Sequence, residues 1–308
     1  MGKGEGLILK STGSWYQVLL ADNTVLDCRL RGKFKNLDLK VTNPIAVGDK
    51  VMVEEESENR GVIVEIYPRE NYLIRKSVKK TGHAHLIAAN IDQAILVVTL
   101  AHPRTSLGFI DRFLVSIEAF RIPGILVFNK ADMMGTEARE IQKELAELYE
   151  KLGYRCLLVS AVDGTGMNEL EMILEGKVTV FSGHSGVGKS TLINLLIPGL
   201  EQKTAGVSNF ANKGVHTTTF AEMFPLNSES FIIDTPGIKE LGLVEMESWE
   251  ISHYFPEIRN FLGECRFKNC LHINEPGCKV LEALDSGQIA ESRYYSYVSM
   301  LDDDDNRR

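Results

Sequence analysis

The sequence predicts three units in one chain: an N-terminal β-barrel of the OB type, a central α/β domain with a mostly parallel sheet, and a C-terminal, mostly helical domain that binds a metal. Three observations carry this. Residues 6–67 hold five short apolar stretches separated by turn residues, the spacing of a small all-β domain. From Ile91 onward apolar strands alternate with helical stretches, the signature of βαβ units. Beyond residue 245, three cysteines and a histidine fall within residues 265–278.

The barrel strands are expected at 6–11, 15–20, 24–30, 50–55 and 61–66, punctuated by Gly13-Ser14, Asp22-Asn23, Pro44 and Gly48-Asp49. The segment 29–40 carries Arg29, Arg31, Lys33, Lys35 and Lys40 against one acid, Asp38. Residues 70–88, with a second basic cluster at Arg75-Lys76 and Lys79-Lys80, read as a linker. In the central region strands are expected at 94–100, 125–128, 156–159, 178–181 and 231–233, and helices at 109–120, 137–152 and 189–196. Domain boundaries follow at 1–72, 73–245 and 246–308.

Composition narrows the class. A net charge of −8 argues against a chain coated in basic charge but leaves room for a local basic patch. The longest apolar runs, such as 94–101, are too short to span a bilayer, and the N-terminus has no apolar signal core. The five cysteines are odd in number and three cluster beside His272, which favours metal ligation in a reducing compartment over a disulfide framework. A cytoplasmic protein is expected.

Gly183-His184-Ser185-Gly186-Val187-Gly188-Lys189-Ser190 fits the phosphate-loop pattern, between a strand and a helix that opens with Thr191. Its glycines let successive backbone N–H groups face phosphate oxygens, and the helix N-terminus adds its positive end. Lys189 is expected on the β- and γ-phosphates and the Ser190 hydroxyl on Mg²⁺. Asp234-Thr235-Pro236-Gly237 follows an apolar strand; Asp234 would reach Mg²⁺ and the Gly237 N–H would sense the γ-phosphate. Between the two lies His216-Thr217-Thr218-Thr219, where a switch loop presents a threonine to Mg²⁺, either Thr217 or Thr218.

Asn129-Lys130-Ala131-Asp132 also follows a strand. A carboxylate at Asp132 can accept from both N1–H and the 2-amino group of guanine. Adenine offers neither donor, so a buried, unpaired Asp132 would penalise ATP. Asn129 would bind N7 or brace the phosphate loop, and the Lys130 stem would cover the base. Ser160-Ala161, after the next strand, matches the second base loop, where a backbone N–H meets guanine O6. The position after Asp-x-x-Gly, where many GTPases carry a water-orienting Gln, is Ile238. His216 is the nearest candidate for that task, and slow intrinsic hydrolysis that needs a partner is expected. These elements make the middle of the chain a circularly permuted P-loop GTPase α/β domain, since the base motif precedes the phosphate loop. Permutation joins the ordinary termini through residues 164–177 and hangs the C-terminal domain from the γ-phosphate sensor.

Cys265-x4-Cys270-x-His272-x5-Cys278 supplies three thiolates and one imidazole, a closed tetrahedral set for one structural Zn²⁺. With that tail, the chain resembles the ribosome-small-subunit-dependent GTPase A family over nearly its whole length. The switch loop of that family reads G-x-H-T-T, as in Gly214-Val215-His216-Thr217-Thr218; Val215 stands where the family usually has Arg, and the acidic run at 302–305 is a second departure. Other permuted ribosome-assembly GTPases usually carry Asn at the place of Gly186. The resemblance implies a late maturation factor of the small (30S) ribosomal subunit that binds its rRNA. It also implies a GTPase stimulated by the subunit, with His216 as the proposed catalytic group. Independently, Arg29, Arg31, Lys33 and Lys35 on a barrel face are candidates for RNA phosphate. The alternative is a checkpoint module whose GTP only gates ribosome binding, hydrolysis being incidental. A monomer without a membrane partner is expected.

Overall fold

The structure is a computed structural model that describes residues 2–32, 43–57, 59–76, 84–100, 102–197, 199–200, 221–235 and 246–302. Five strands open it: β1 (Lys3–Ser11), β2 (Tyr16–Leu20), β3 (Val25–Leu30), β4 (Lys50–Ser57) and β5 (Arg60–Ile66). They pair in the order β1-β2-β3-β5-β4, and β4 returns to β1, so the sheet closes into a barrel with only β3 and β5 parallel. Closure removes the free edges that short strands would otherwise expose. Alternate residues point inward: Ile8, Val18, Leu26, Cys28, Val53 and Ile63 are all buried in one core.

Residues 70–88 are not a linker. They contain β6 (Tyr72–Lys76) and β7 (Ala84–Ala89), a two-stranded antiparallel sheet. Leu73 and Ala88 join the central core, while Ile74, Leu86 and Ala89 pack with Ala46 and Phe120. The short basic clusters hid two strands in which Leu73, Ile74, Leu86, Ile87, Ala88 and Ala89 are buried. The hairpin is bonded to the barrel: Ala89 N donates to Val47 O (2.8 Å) and Asn90 Nδ2 to Gly48 O (2.9 Å). Beside this joint, Asp49 is fully buried and its carboxylate accepts from Arg69 Nε at 2.6 Å, Arg69 Nη2 at 2.7 Å and the Ala46 N–H at 2.8 Å.

Gly48 is required at this joint. Its φ is +87°, and a Cβ there would lie 2.2 Å from Ala89 O, a backbone atom fixed by pairing. Gly48→Ala combines left-handed strain with that overlap, so a loss of about 2 kcal/mol or more is expected in denaturant unfolding. An unchanged midpoint would show that the hairpin is not held against the barrel in this way.

The central domain runs β8 (Gln93–Val98), α1 (Leu107–Ala119), β9 (Gly124–Phe128), α2 (Thr136–Lys151), β10 (Arg155–Leu158), α3 (Met167–Leu174), β11 (Val178–Ser182), α4 (Lys189–Leu196), β12 (Glu222–Pro225) and β13 (Phe231–Asp234). Strands β10-β9-β8-β11-β13 are parallel, and β12 adds antiparallel to β13. All of β8 is buried, as expected of a strand covered on both faces. Its Ala94, Leu96 and Val98 face α1 and α2, while Ile95 and Val97 face α3 and α4. The stretch 164–177, expected only to join the permuted ends, holds α3 with Leu170, Ile173 and Leu174 buried. At the other edge, Lys10 of β1 lies opposite Glu222 of β12 and pairs with it at 2.9 Å, which continues the sheet into the barrel.

The last unit has a 3₁₀ helix at Ser248–Tyr254, α5 (Pro256–Arg259), α6 (Lys279–Asp285) and α7 (Glu291–Leu301). Its core includes Ile251, Phe255, Ile258, Val280 and Tyr297, and it takes in Val115 from α1. Arg293 of α7 is buried at 1% exposure. Its Nε donates to Glu257 Oε1 at 2.6 Å and its Nη1 to Asp111 Oδ1 of α1 at 2.7 Å. Tyr149 Oη of α2 donates to the same Asp111 oxygen at 2.7 Å. Burial works against the Arg293 charge, but the two carboxylates outweigh it and hold the guanidinium above its ordinary value. Removing one partner of such a buried pair costs on the order of 3–5 kcal/mol, because it strands the other charge between α1 and α7.

Candidate functional site: a nucleotide crevice and a metal centre

Five parallel strands, β8, β9, β10, β11 and β13, end at one side of the sheet, where open α/β sheets place their ligands. The loop after β11 is Gly183–Gly188 and leads directly into α4 at Lys189. Lys189 Nζ rests on the Asp234 carboxylate at the end of β13, and both side chains are nearly buried. Strand pairing sets Phe181 opposite Asp234, so the phosphate loop and the Asp-x-x-Gly motif leave the sheet side by side. The Thr235 hydroxyl donates to Phe181 O at 2.8 Å and pins the second motif to the first strand. Ser185, Gly186 and Thr191 are exposed, Val187 is buried, and Ser190 is half-buried.

The base motif leaves β9 next to this loop. Asn129 is 2% exposed, and its Nδ2 donates to Val187 O in the phosphate loop at 2.8 Å. Of the two tasks expected of Asn129, bracing the loop is thus visible in the chain itself. Gly188 is needed for that approach: its φ is +92°, and a Cβ there would lie 2.4 Å from Asn129 Nδ2. Lys130 has a left-handed φ of +65°, and its Nζ donates to His102 O at 2.5 Å. Asp132 Oδ1 accepts from Ser160 Oγ at 2.7 Å. Ser160 is fully buried, and its hydroxyl oxygen also accepts from the Val162 and Asp163 N–H groups at 3.1 and 3.2 Å. The Ser160 hydroxyl therefore shapes the second base loop, with Ala161 half-buried beside it, and aims the Asp132 carboxylate. Asp132 is exposed at the mouth of the crevice, with one oxygen engaged by Ser160.

Two contributors carry no motif and were not expected from sequence. Phe109 of α1 stacks on His184 of the phosphate loop, with ring centroids 3.7 Å apart at 29°. His102 offers only a backbone carbonyl. No local signal marks either, because each acts on a loop far away in sequence. His216, Thr217, Thr218 and Gly237 lie outside the described residues, as do Val215, Lys33 and Lys35. Arg29 and Arg31 are described, and each is paired with a carboxylate, Glu56 at 3.1 Å and Glu54 at 2.7 Å. The guanidinium carbons of Arg29 and Arg60 lie 5.7 and 6.0 Å from the ring of half-exposed Trp15.

In the last unit, one ligand atom each from Cys265, Cys270, His272 and Cys278 comes within 4.8 Å of the others. Cys265 Sγ and Cys278 Sγ are 3.9 Å apart, and His272 Nδ1 lies 3.6 and 3.4 Å from those two sulfurs. A tetrahedral Zn²⁺ with ordinary bond lengths sets S–S edges near ~3.8 Å and S–N edges near ~3.5 Å, so the donor set fits one such ion. Burial lowers the His272 pKa, which keeps the imidazole neutral and able to ligate. Burial pushes the Cys270 thiol up to about 12, so a cation is what would draw its proton off. The loop is held from outside as well. Glu275 accepts from the Leu271, Ile273 and Asn274 N–H groups, and the Tyr294 and Tyr297 hydroxyls donate to His272 O and Leu271 O, each at 2.8 Å.

The model of the RsgA GTPase family matches residues 66–244, and that of the RsgA N-terminal domain matches residues 5–63. A protein of Cytophaga hutchinsonii named small ribosomal subunit biogenesis GTPase RsgA is 55% identical over 306 residues, covering 99% of this chain and 100% of its own. One of the same name from Bacteroides fragilis is 50% identical, covering 97% and 96%. Among solved structures, YjeQ from Thermotoga maritima aligns with TM-score 0.79 at 35% identity, covering 97% of this chain and 98% of its own. YloQ, described as a circularly permuted GTPase, aligns with TM-score 0.74 at 31% identity, covering 97% and 94%.

Proposed function

The chain belongs to the RsgA GTPase family, and on that premise we propose that it hydrolyses GTP as a late maturation factor of the small ribosomal subunit. It binds subunit rRNA, turns over slowly alone and is stimulated by the subunit. The observation that carries this is the bond from Asn129 to the Val187 carbonyl, which ties the base motif to the phosphate loop across 58 residues. Two motif sets in permuted order thereby line one crevice.

The roles follow from that arrangement. Backbone N–H groups of residues 183–191 cradle the phosphates, and Lys189 moves from Asp234 to the β- and γ-phosphates as nucleotide enters. Ser190 and Asp234, together with Thr217 or Thr218, would hold Mg²⁺, which when bound would neutralise charge on the phosphate oxygens. Gly237 senses the γ-phosphate, and His216 orients the attacking water. Asp132, set by Ser160, reads guanine; Ala161 meets O6, and Asn129 and Lys130 flank the base. Cys265, Cys270, His272 and Cys278 hold one structural zinc. Domain limits are proposed at 1–72, 73–245 and 246–308, with Val47 of the first packed in the central core and Val115 of the second in the C-terminal core. The protein acts as a monomer in the cytoplasm; no described helix is long and apolar enough to cross a membrane. Arg29 and Arg31 reach RNA by exchanging their carboxylate partners for phosphate.

GTP turnover measured alone, with purified small subunits and with large subunits, across salt, tests the reading. Stimulation by small subunits only, falling as salt rises, is expected. Equal rates in all three would overturn it.

A further inference from the structure

Helix α1 touches both ends of the molecule's chemistry. In its first turn, Phe109 stacks on His184, the second residue of the phosphate loop. Two residues on, Asp111 is fully buried and bonded to Arg293 of α7. Val115 lies in the core of the C-terminal unit, and Glu118 pairs with Arg259 at 3.2 Å. The other side of the same helix, through Ile110, Phe113, Leu114 and Ile117, is packed on the central sheet. A helix of 13 residues is a rod of roughly 20 Å, and packed interfaces shift between discrete arrangements rather than deform.

We propose that Phe109 is a positioning residue for the phosphate loop, and that its stack on His184 couples nucleotide binding to the seating of α7 and the C-terminal unit through α1. The reasoning is geometric. Nucleotide fixes the backbone around His184, and the stacked ring fixes the start of α1. The buried Asp111–Arg293 pair and Val115 then carry that placement into the C-terminal core. Coupling of this kind is reciprocal: a ligand that reseats the C-terminal unit must change nucleotide affinity by the same factor. A route through α1 is independent of the covalent connection that follows Thr235.

The inference rests on the nucleotide site proposed above, and GDP binding by the unaltered chain tests that site separately. The experiment is hydrogen exchange of the α7 amides in the full chain, with and without GDP and Mg²⁺, beside a GDP titration. In the unaltered chain, GDP is expected to slow α7 exchange at least about threefold. Phe109→Ala should weaken GDP binding about threefold to tenfold and, at saturating GDP, abolish the slowing in α7. Phe109→Tyr, which keeps a ring, should restore both. His184→Ala removes the stack from the half-buried loop side without touching the core and should reproduce Phe109→Ala. The double variant should bind GDP no worse than either single one. A merely structural Phe109 would alter affinity but leave the α7 response intact, and that result overturns the proposal. So does an α7 exchange rate indifferent to GDP in the unaltered chain.

Discussion

Asp132→Asn is expected to lower GTP affinity by two to three orders of magnitude and to move preference toward xanthosine triphosphate. A carboxylate accepts two hydrogen bonds from guanine, at N1–H and the 2-amino group. An amide can accept one of them and sets its own N–H against the 2-amino donor. Hydrogen bonds to a charged group contribute about 1.5–3 kcal/mol each, so losing one and opposing the other costs about 3–4 kcal/mol. Xanthine carries an oxygen at position 2, which the amide N–H suits. The Ser160 hydroxyl, 2.7 Å from Asp132 Oδ1, can bond either side chain, so the loop should keep its shape. Competition of GTP, xanthosine triphosphate and ATP against a fluorescent GDP analogue measures this. A variant that still prefers GTP by its original margin would remove Asp132 from base recognition.

Metal removal should have a larger effect, on stability rather than specificity. One zinc per chain is expected by elemental analysis. Chelation, or Cys278→Ala, should melt the loop 265–278 and loosen α6 and α7 behind it. Binding of a structural zinc is worth about 10–16 kcal/mol in small fingers, as much as the whole stability of an ordinary domain. Here the loop also leans on Tyr294 and Tyr297, whose hydroxyls hold its carbonyls, so their near-ultraviolet circular dichroism reports the loss. If Arg293 anchors α7 as its buried pairs indicate, part of the unit survives on α1, and the nucleotide crevice still binds GDP. A chain that carries no metal and melts identically with chelator would refute the assignment.

How far the chain could be read before its structure depended on where each contact is encoded. The phosphate loop, the Asn-Lys-x-Asp motif and the cysteine cluster were legible because each packs its chemistry into a few adjacent residues whose spacing is itself the geometry. The barrel strands were legible from period-two alternation, and β11 and α4 from an apolar run followed by glycines. The hairpin β6–β7 was misread because short basic clusters suggested solvent. Leu73 and Ile74 of one strand and Leu86, Ile87, Ala88 and Ala89 of the other are in fact buried. Helix α3 was passed over because it sits inside the segment that permutation needed as a connection.

By itself the sequence determined the family, the order of the motifs, the nucleotide chemistry and the four candidate metal ligands. Only the tertiary structure decided that Asn129 braces the loop through Val187, that Ser160 aims Asp132, and that one helix serves both the phosphate loop and the C-terminal core. The reason is physical. A motif is stabilised by bonds among neighbours in the chain, so composition and spacing reveal it. The partnership of Asp111 with Arg293 spans 182 residues and exists only because two helices bury the same side chains. No local periodicity records which distant charge will meet which, and packing alone settles it.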